Sequence, residues 1–184
     1  AAGHPLLHRA AGVDGVVSVT LRPAATADIP RMQQIERDAA TLFAGLDLID
    51  IDEMATASIS DHCEAIDEGL SLVAEAEGRI AGFVIGDRYD ADVYLHELDV
   101  GREYQRRGIG AMLVHGLIDL ARAQGAQGIY LSTFRDPPWN APFYRKVGFR
   151  DVPRGDYLPW MEEIERRQAE FLDVATRVFM KLSA

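Results

Sequence analysis

The segment from Ala91 to Phe134 constrains the fold more than any other part of this chain. It opens with "ADVYLHELDV", whose valines, tyrosine and leucines predict a strand. It passes through "GREYQRRGIG" into a stretch where Ile109, Met112, Leu113, Leu117 and Leu120 recur at helical spacing. That spacing predicts a helix from about Gly108 to Gln124, stopped before Gly125. "GIYLSTF" then predicts another strand. Strand, helix and strand joined this tightly describe a parallel crossover, which should be right-handed. The glycines fall where the strand becomes the helix. A helix start exposes unpaired N–H groups and the positive end of the dipole. Glycine lets a ligand approach the backbone. Together they predict an anion site, and phosphate is the usual anion.

The other segments surround this unit. "VVSVTLRPA" predicts a first strand, ending at Pro23, and "TADIPRMQQIERDAA" a helix capped by Thr26 or Asp28 with Pro30 in its first turn. "LDLIDIDEMATASISDHCEAIDEG" holds a second helical segment with an acidic start. "LSLVAEAEGRIAGFVIGDRYD" predicts a hairpin turning at Glu77 and Gly78. "PPWNAPFYRKVGF" predicts a short helix that stops at Gly148, and Phe149 to Val152 a further strand. "LPWMEEIERRQAEFLD" is helical and "VATRVFMKL" a closing strand. This order predicts a mixed-sheet α/β fold in one domain, residues 17–184, preceded by a loose N-terminal arm, residues 1–16.

Bulk properties narrow the partners. A net charge of −10 argues against a general nucleic-acid binder, and no apolar run is long enough to cross a membrane. The single cysteine, Cys63, allows no intramolecular disulfide and fits a reducing, cytoplasmic setting. His62 and Cys63 have no companion at metal-ligand spacing, so no metal is expected.

The phosphate ligand can be narrowed by motif. A P-loop needs lysine and Ser/Thr directly after its last glycine, but Gly110 is followed by Ala111 and Met112. A dinucleotide fingerprint needs a third glycine where Leu113 stands. What remains is Gln105-Arg106-Arg107-Gly108-Ile109-Gly110 after a strand ending in "ELDV". This resembles the Gln/Arg-x-x-Gly-x-Gly/Ala loop of the GNAT superfamily of acyl-CoA-dependent N-acetyltransferases. "NAPFYRKVGF" resembles that family's later motif at Asn140, Tyr144, Gly148 and Phe149. "TFRDPPWNAPFY" and the C-terminal tail resemble a bacterial subgroup with a T-F-x-x-x-P-W-N-x-P-F-Y motif.

The resemblance implies a GNAT-type sheet, largely antiparallel, with one splayed parallel strand pair flanked by helices. It implies acetyl-CoA as co-substrate, held by Gln105, Arg106, Arg107, Gly108, Ile109, Gly110 and Ala111 at its pyrophosphate. Backbone groups of Leu98, Asp99 and Val100 would pair with the pantetheine arm, which Asn140 would also bond, unless Asn140 only caps its helix. Tyr144 would protonate the leaving thiolate, unless it only packs. For the base, Glu97 is the first choice and His96 the second; strand alternation puts them on opposite faces. An alkyl ammonium, with a pKa of about 10.4, must lose a proton before it attacks, at a cost of about 4–5 kcal/mol at pH 7. A carboxylate both attracts that cation and relays the proton. Glu97 could instead pair with an arginine. Asp136, Trp139 and Trp160 would border the acceptor pocket or, for the tryptophans, pack in the core. The implied function is transfer of an acetyl group to a primary amine of a small molecule. A protein or peptide amine, or a non-catalytic acyl-CoA sensor, stands as the alternative, and a homodimer is left open.

Overall fold

The computed structural model describes residues 18–46, 48 and 56–183. The N-terminal arm and the acidic start of the second helical segment lie outside the described residues. The strands are β1 (Val19–Pro23), β2 (Ser71–Ala76), β3 (Arg79–Tyr89), β4 (Asp92–Val100), β5 (Gly128–Phe134), β6 (Arg150–Asp151) and β7 (Arg177–Ser183). The helices are α1 (Ile29–Ala40), α2 (Ile59–Asp67), α3 (Ile109–Ala123), α4 (Ala141–Val147) and α5 (Pro159–Gln168).

The strands form one sheet in the order β1-β2-β3-β4-β5-β7-β6. Every neighbouring pair is antiparallel except β4 and β5. Those two pair only from Val93 to Leu95 against Ile129 to Leu131. Beyond that point β4 stays with β3 and β5 stays with β7, so the sheet splays open at its centre.

Local chemistry explains most boundaries. Glu77 and Gly78 both take positive φ, 53° and 73°, the geometry of a type I′ hairpin turn. At α2, Ser58 accepts from the Asp61 amide at 3.1 Å while Asp61 accepts from the Ser58 amide at 2.7 Å, a reciprocal capping box. The cap expected from Asp28 takes another form. Its carboxylate accepts from the Ala25 amide at 2.8 Å and from Arg22 at 2.7 Å, and so fixes the turn before α1 to β1.

Side chains on the two faces of the sheet meet different helices. On one face, Ile109, Leu113, Leu117, Ile118 and Ala121 of α3 pack onto Leu72, Val84, Val93 and Leu95. Gly116 permits this approach: a Cβ there would stand 2.7 Å from Leu72 Cδ1 and 2.9 Å from Leu21 Cδ1. On the other face, Met32 and Ile35 of α1 and Ala65 of α2 pack onto Phe83 and Ile85, and Met161 and Ile164 of α5 onto Tyr94, Tyr130 and Phe179. Among the described residues, no helix is long and apolar enough to cross a membrane.

Candidate active site

The start of α3 is built to hold an anion. Arg106 and Gly108 both have positive φ, 60° and 81°, which turns the chain sharply out of the β4 side and into the helix. The first intrahelical bond runs from the Met112 amide to the Gly108 carbonyl at 3.1 Å. The amides of Ile109, Gly110 and Ala111 are therefore among the helix's open donors, and Gly108 offers no side chain to cap them. A Cβ on Gly108 would meet nothing within 4 Å, and one on Gly110 only Phe143 Cζ and Val100 Cγ2 at 3.8 Å, so space lies over these amides. Arg106 and Arg107 are exposed, and Arg107 lies over the Tyr104 ring at 5.5 Å. Gln105 turns its side chain inward, donating to the Val100 carbonyl at 3.1 Å, and so ties the loop to the end of β4.

From this helix start a cleft of about 800 Å³ runs into the gap between β4 and β5. Leu98, Asp99, Val100, Gln105, Arg106, Gly108, Ile109, Gly110, Asn140, Tyr144, Glu97 and His96 all line it; Arg107 and Ala111 do not. Asn140 occupies the N-cap position of α4 without capping by its side chain. Its backbone carbonyl receives the Phe143 and Tyr144 amides, at 2.9 and 3.2 Å, while its Nδ2 donates to Thr133 Oγ1 at 2.9 Å. That leaves Oδ1 buried with no partner, an acceptor in the wall of the cleft. Open amides at one end and an orphaned acceptor midway fit coenzyme A: the amides its pyrophosphate, the acceptor an amide N–H of its arm.

The inner end is acidic, and one irregularity creates it. In the β3–β4 register Ile85 pairs with Glu97 but Gly86 pairs with Leu95, so His96 is an extra residue in β4. Such a bulge interrupts alternation. The expectation that His96 and Glu97 lie on opposite faces therefore does not hold. Both turn toward α1: the charges of Glu97 and His96 act on Glu36 of that helix, and His96 Nδ1 lies 2.7 Å from Asp87 Oδ2. Burial pushes the imidazole down, but its hydrogen bond to Asp87 and that carboxylate's charge outweigh burial and hold it at about 9. His96 is thus a cation at neutral pH and a poor base.

Three carboxyls converge beside it. Burial raises Glu97, opposed by His96, by the Leu98 amide 3.3 Å from Oε1, by Arg177 and by Asp99, whose carboxyl is within hydrogen-bonding reach. Burial and the charges of Glu97 and Glu36 push Asp99 well above the usual carboxylate range. Burial, then the charge of Glu97, raises Glu36 to about 8. Burial also raises the Tyr144 phenol, with Glu97 and Asp99 adding to the effect, so the hydroxyl keeps its proton. The arrangement sets Glu97, whose rise His96, the Leu98 amide and Arg177 oppose, beside two carboxyls and a phenol that burial holds toward their neutral forms. That is the distribution acid–base chemistry requires.

The acidic end also contains residues that sequence reasoning missed. Glu36 sits mid-helix in α1, where it reads as a solvated glutamate. Instead its Oε1 accepts from the Ala57 amide at 2.9 Å, while Gln33 donates to the Ala57 carbonyl at 2.9 Å. This clamp holds the chain just before α2 against α1. Asp99 was expected to act only through its backbone. Arg177, at the first position of β7, was not singled out. Of the expected border residues, Trp139 lines the cleft, edge-on to Phe43 at 6.1 Å. Trp160 instead stacks on Tyr89 at 4.8 Å and packs against Tyr94 and Tyr130, and Asp136 is exposed outside the cleft. His62 is buried against Phe83, away from the cleft.

Comparison with known proteins agrees with this geometry. The model of the acetyltransferase (GNAT) family matches residues 30–149. The ribosomal protein bS18-alanine N-acetyltransferase of Salmonella typhimurium (strain LT2) is 30% identical over 91 residues, covering 49% of this chain and 62% of that relative. This chain thus matches less than two thirds of that relative's length. A GNAT-family acetyltransferase from Staphylococcus aureus Mu50 shares the fold with a TM-score of 0.68 at 18% identity, over 90% of this chain and 98% of that one. The PaiA N-acetyltransferase of Thermoplasma acidophilum, in complex with coenzyme A, does so with a TM-score of 0.64 at 17% identity, over 91% and 99%.

Proposed function

This chain belongs to the acetyltransferase (GNAT) family, and from that premise we propose that it moves an acetyl group from acetyl-CoA to a primary amine of a small molecule, by direct attack in a ternary complex. One observation carries the reading. The splay of β4 from β5 joins the open amides of α3 to the Glu97–Tyr144 pair in a single cleft.

Each residue has a task in that cleft. The amides of Ile109, Gly110 and Ala111 hold the pyrophosphate, and Arg106 and Arg107 add charge that solvent weakens. Asn140 Oδ1 and the backbone of Leu98, Asp99 and Val100 align the arm in the gap. The bound thioester supplies an acyl carbon open to amines and a thiolate leaving group. Glu97 takes a proton from the acceptor's ammonium, which frees the nitrogen lone pair to form the C–N bond. A backbone N–H of the Leu98–Val100 segment stabilises the oxyanion as the carbonyl becomes tetrahedral. As the C–S bond breaks, Tyr144 gives its proton to sulfur, the nitrogen gives up its second proton to restore the phenol, and the proton on Glu97 passes to solvent. His96 stays protonated and steadies the charge on Glu97.

A second reading has a specific observation behind it: the Salmonella relative is named for a protein's alanine amine. The burial of Glu36 at the acidic end supports a small acceptor. A non-catalytic sensor would not need Glu97 and Tyr144 in one cleft. The test is thiol release from acetyl-CoA across a panel of small amines and short peptides. Release that requires a small amine, with one N-acetyl product per thiol, is expected. Release only with peptides favours the protein reading, and coenzyme A binding without amine-dependent release favours the sensor.

A further inference from the structure

The carboxyls of the acidic end account for an ammonium, but a cation faces them. Arg177 opens β7 opposite Phe134 of β5. In β7, Val178 and Met180 belong to the core under α3 while Phe179 belongs to the core under α5. Arg177 therefore shares the face of Phe179, which is the face of the sheet that carries His96 and Glu97. It lines the cleft with Ser132 and Thr133, across the splay from Glu97 and Asp99.

Glu97's charge acts on this guanidinium across the cleft, without a direct ion pair. Nη2 donates to the Ser132 carbonyl at 2.9 Å and to Ser132 Oγ at 3.3 Å, and the group lies over the Phe134 ring at 4.6 Å. Nε is buried with no partner. Among the described residues, no carboxylate lies within salt-bridge distance of it. A half-buried charge with one buried donor unpaired is costly and favours a direct counter-ion. Behind it a second hollow of about 430 Å³ is bordered by Arg177, Arg135 and Arg154 and by the carboxylates Asp151 and Glu165. Arg154 is bound to Glu165 at 2.7 Å, but Arg135 meets only the Ala175 carbonyl, at 3.2 Å. The cofactor's pyrophosphate is already provided for at α3, at the far end of the cleft.

We propose that the acceptor is zwitterionic, an α-amino acid or close relative, whose ammonium lies by Glu97 and whose carboxylate is bound by Arg177. The inference rests on the acetyl-transfer reading above and adds the acceptor's second charge. Guanidinium binds carboxylate through paired N–H donors, and Arg177 has Nε free for one of them. Glu97 on the β4 side and Arg177 on the β7 side, with no direct ion pair between them, offer one group for each charge of a zwitterion. A plain amine satisfies only one of them.

The experiment compares each of the twenty L-amino acids with its own carboxamide, which removes the negative charge and keeps the amine. Acetyl-CoA turnover is read as thiol release, and binding to the protein loaded with coenzyme A is read by saturation-transfer NMR. The acid should exceed its carboxamide in kcat/KM and in binding by about tenfold to hundredfold for at least one side chain. In Arg177→Gln that ratio should fall toward one, and Arg177→Lys should recover part of it. Equal response to acids and carboxamides in the unsubstituted protein overturns the proposal, and so does binding of neither. A preference for acids that survives in folded Arg177→Gln also overturns it. Turnover of plain amines with no preference for acids removes this inference alone. Coenzyme A binding with no release from any amine removes the transfer reading and this inference with it.

Discussion

The two ends of the cleft are made in different ways. The end at α3 is made of backbone from consecutive residues: the left-handed turns at Arg106 and Gly108 and the amides of Ile109, Gly110 and Ala111. The inner end is made of side chains: Glu36 from α1, His96, Glu97 and Asp99 from β4, Tyr144 from α4 and Arg177 from β7. Backbone donors are fixed once the turn and helix form, so one short motif specifies them. A cluster of carboxyls gains its properties only when distant elements exclude water and bring the charges together. The difference teaches that cofactor and acceptor halves should respond differently to substitution, one through steric and charge intrusion, the other through proton balance.

The largest effect should come from intrusion. Gly110→Asp puts a carboxylate beside the bound pyrophosphate with room to stand there. A unit charge about 5 Å away at an effective dielectric of about 20 repels by about 3 kcal/mol, which is about a few hundredfold in coenzyme A affinity. Calorimetry checks this. Unchanged affinity in a folded variant would mean that the anion is held elsewhere, and the contrast between the two ends would collapse.

Tyr144→Phe should act only at the inner end. It should lower kcat by about 10²-fold, the usual scale of general acid catalysis, while leaving coenzyme A affinity within about twofold. A normal kcat with a turned-over acceptor would leave Tyr144 as packing among Phe143 and Phe149, its ring neighbours at 5.0 and 5.8 Å.

How much of this could be read from sequence follows the same division. The parallel unit β4-α3-β5, the hairpin at Glu77-Gly78 and the helix start at Gly108 each rest on local periodicity and glycine, and each forms where the residues imply. The membership read from "QRRGIG" and "NAPFY" agrees with the family match over residues 30–149. The faces of His96 and Glu97 were misassigned because a one-residue bulge needs no glycine and leaves no mark in "YLHELDV". Glu36 was passed over because "IERDAA" reads as a solvated helix face; only packing against Ala57 shows otherwise. Arg177 follows a turn and opens a strand, an ordinary place for a surface arginine. A side-chain cap by Asn140, the alternative its residue type left open, does not form, because Thr133, supplied by β5, holds the side chain instead.

A smaller effect should appear in stability. Glu36 titrates at about 8 in the folded protein, above the usual carboxylate value of 4.5. Between those values the folded state keeps a proton that the unfolded chain has released, so stability is full below about pH 4.5 and falls as pH rises through 8. The fall should be on the order of 2–4 kcal/mol. Glu36→Gln should make the fall shallower, leaving the part that Glu97, Asp99 and His96 contribute, which thermal melts from pH 5 to pH 9 would show. A slope unchanged in Glu36→Gln would mean that the acidic end is solvated and that its proton balance is ordinary.

The central claim is that Glu97 takes the acceptor's proton. It is tested most directly by the ratio of rates for the unsubstituted protein and Glu97→Gln, measured over acceptors of graded amine pKa and over pH. Glutamine keeps the shape and removes the basic oxygen. The account predicts a ratio that grows with amine pKa, since strongly basic amines most need deprotonation, and that shrinks as pH rises and solution supplies the free amine. His96→Gln, which removes a cation held at about 9, should show little of this dependence. A flat ratio for Glu97→Gln across acceptors and pH, or a slope that appears in His96→Gln instead, would contradict the account.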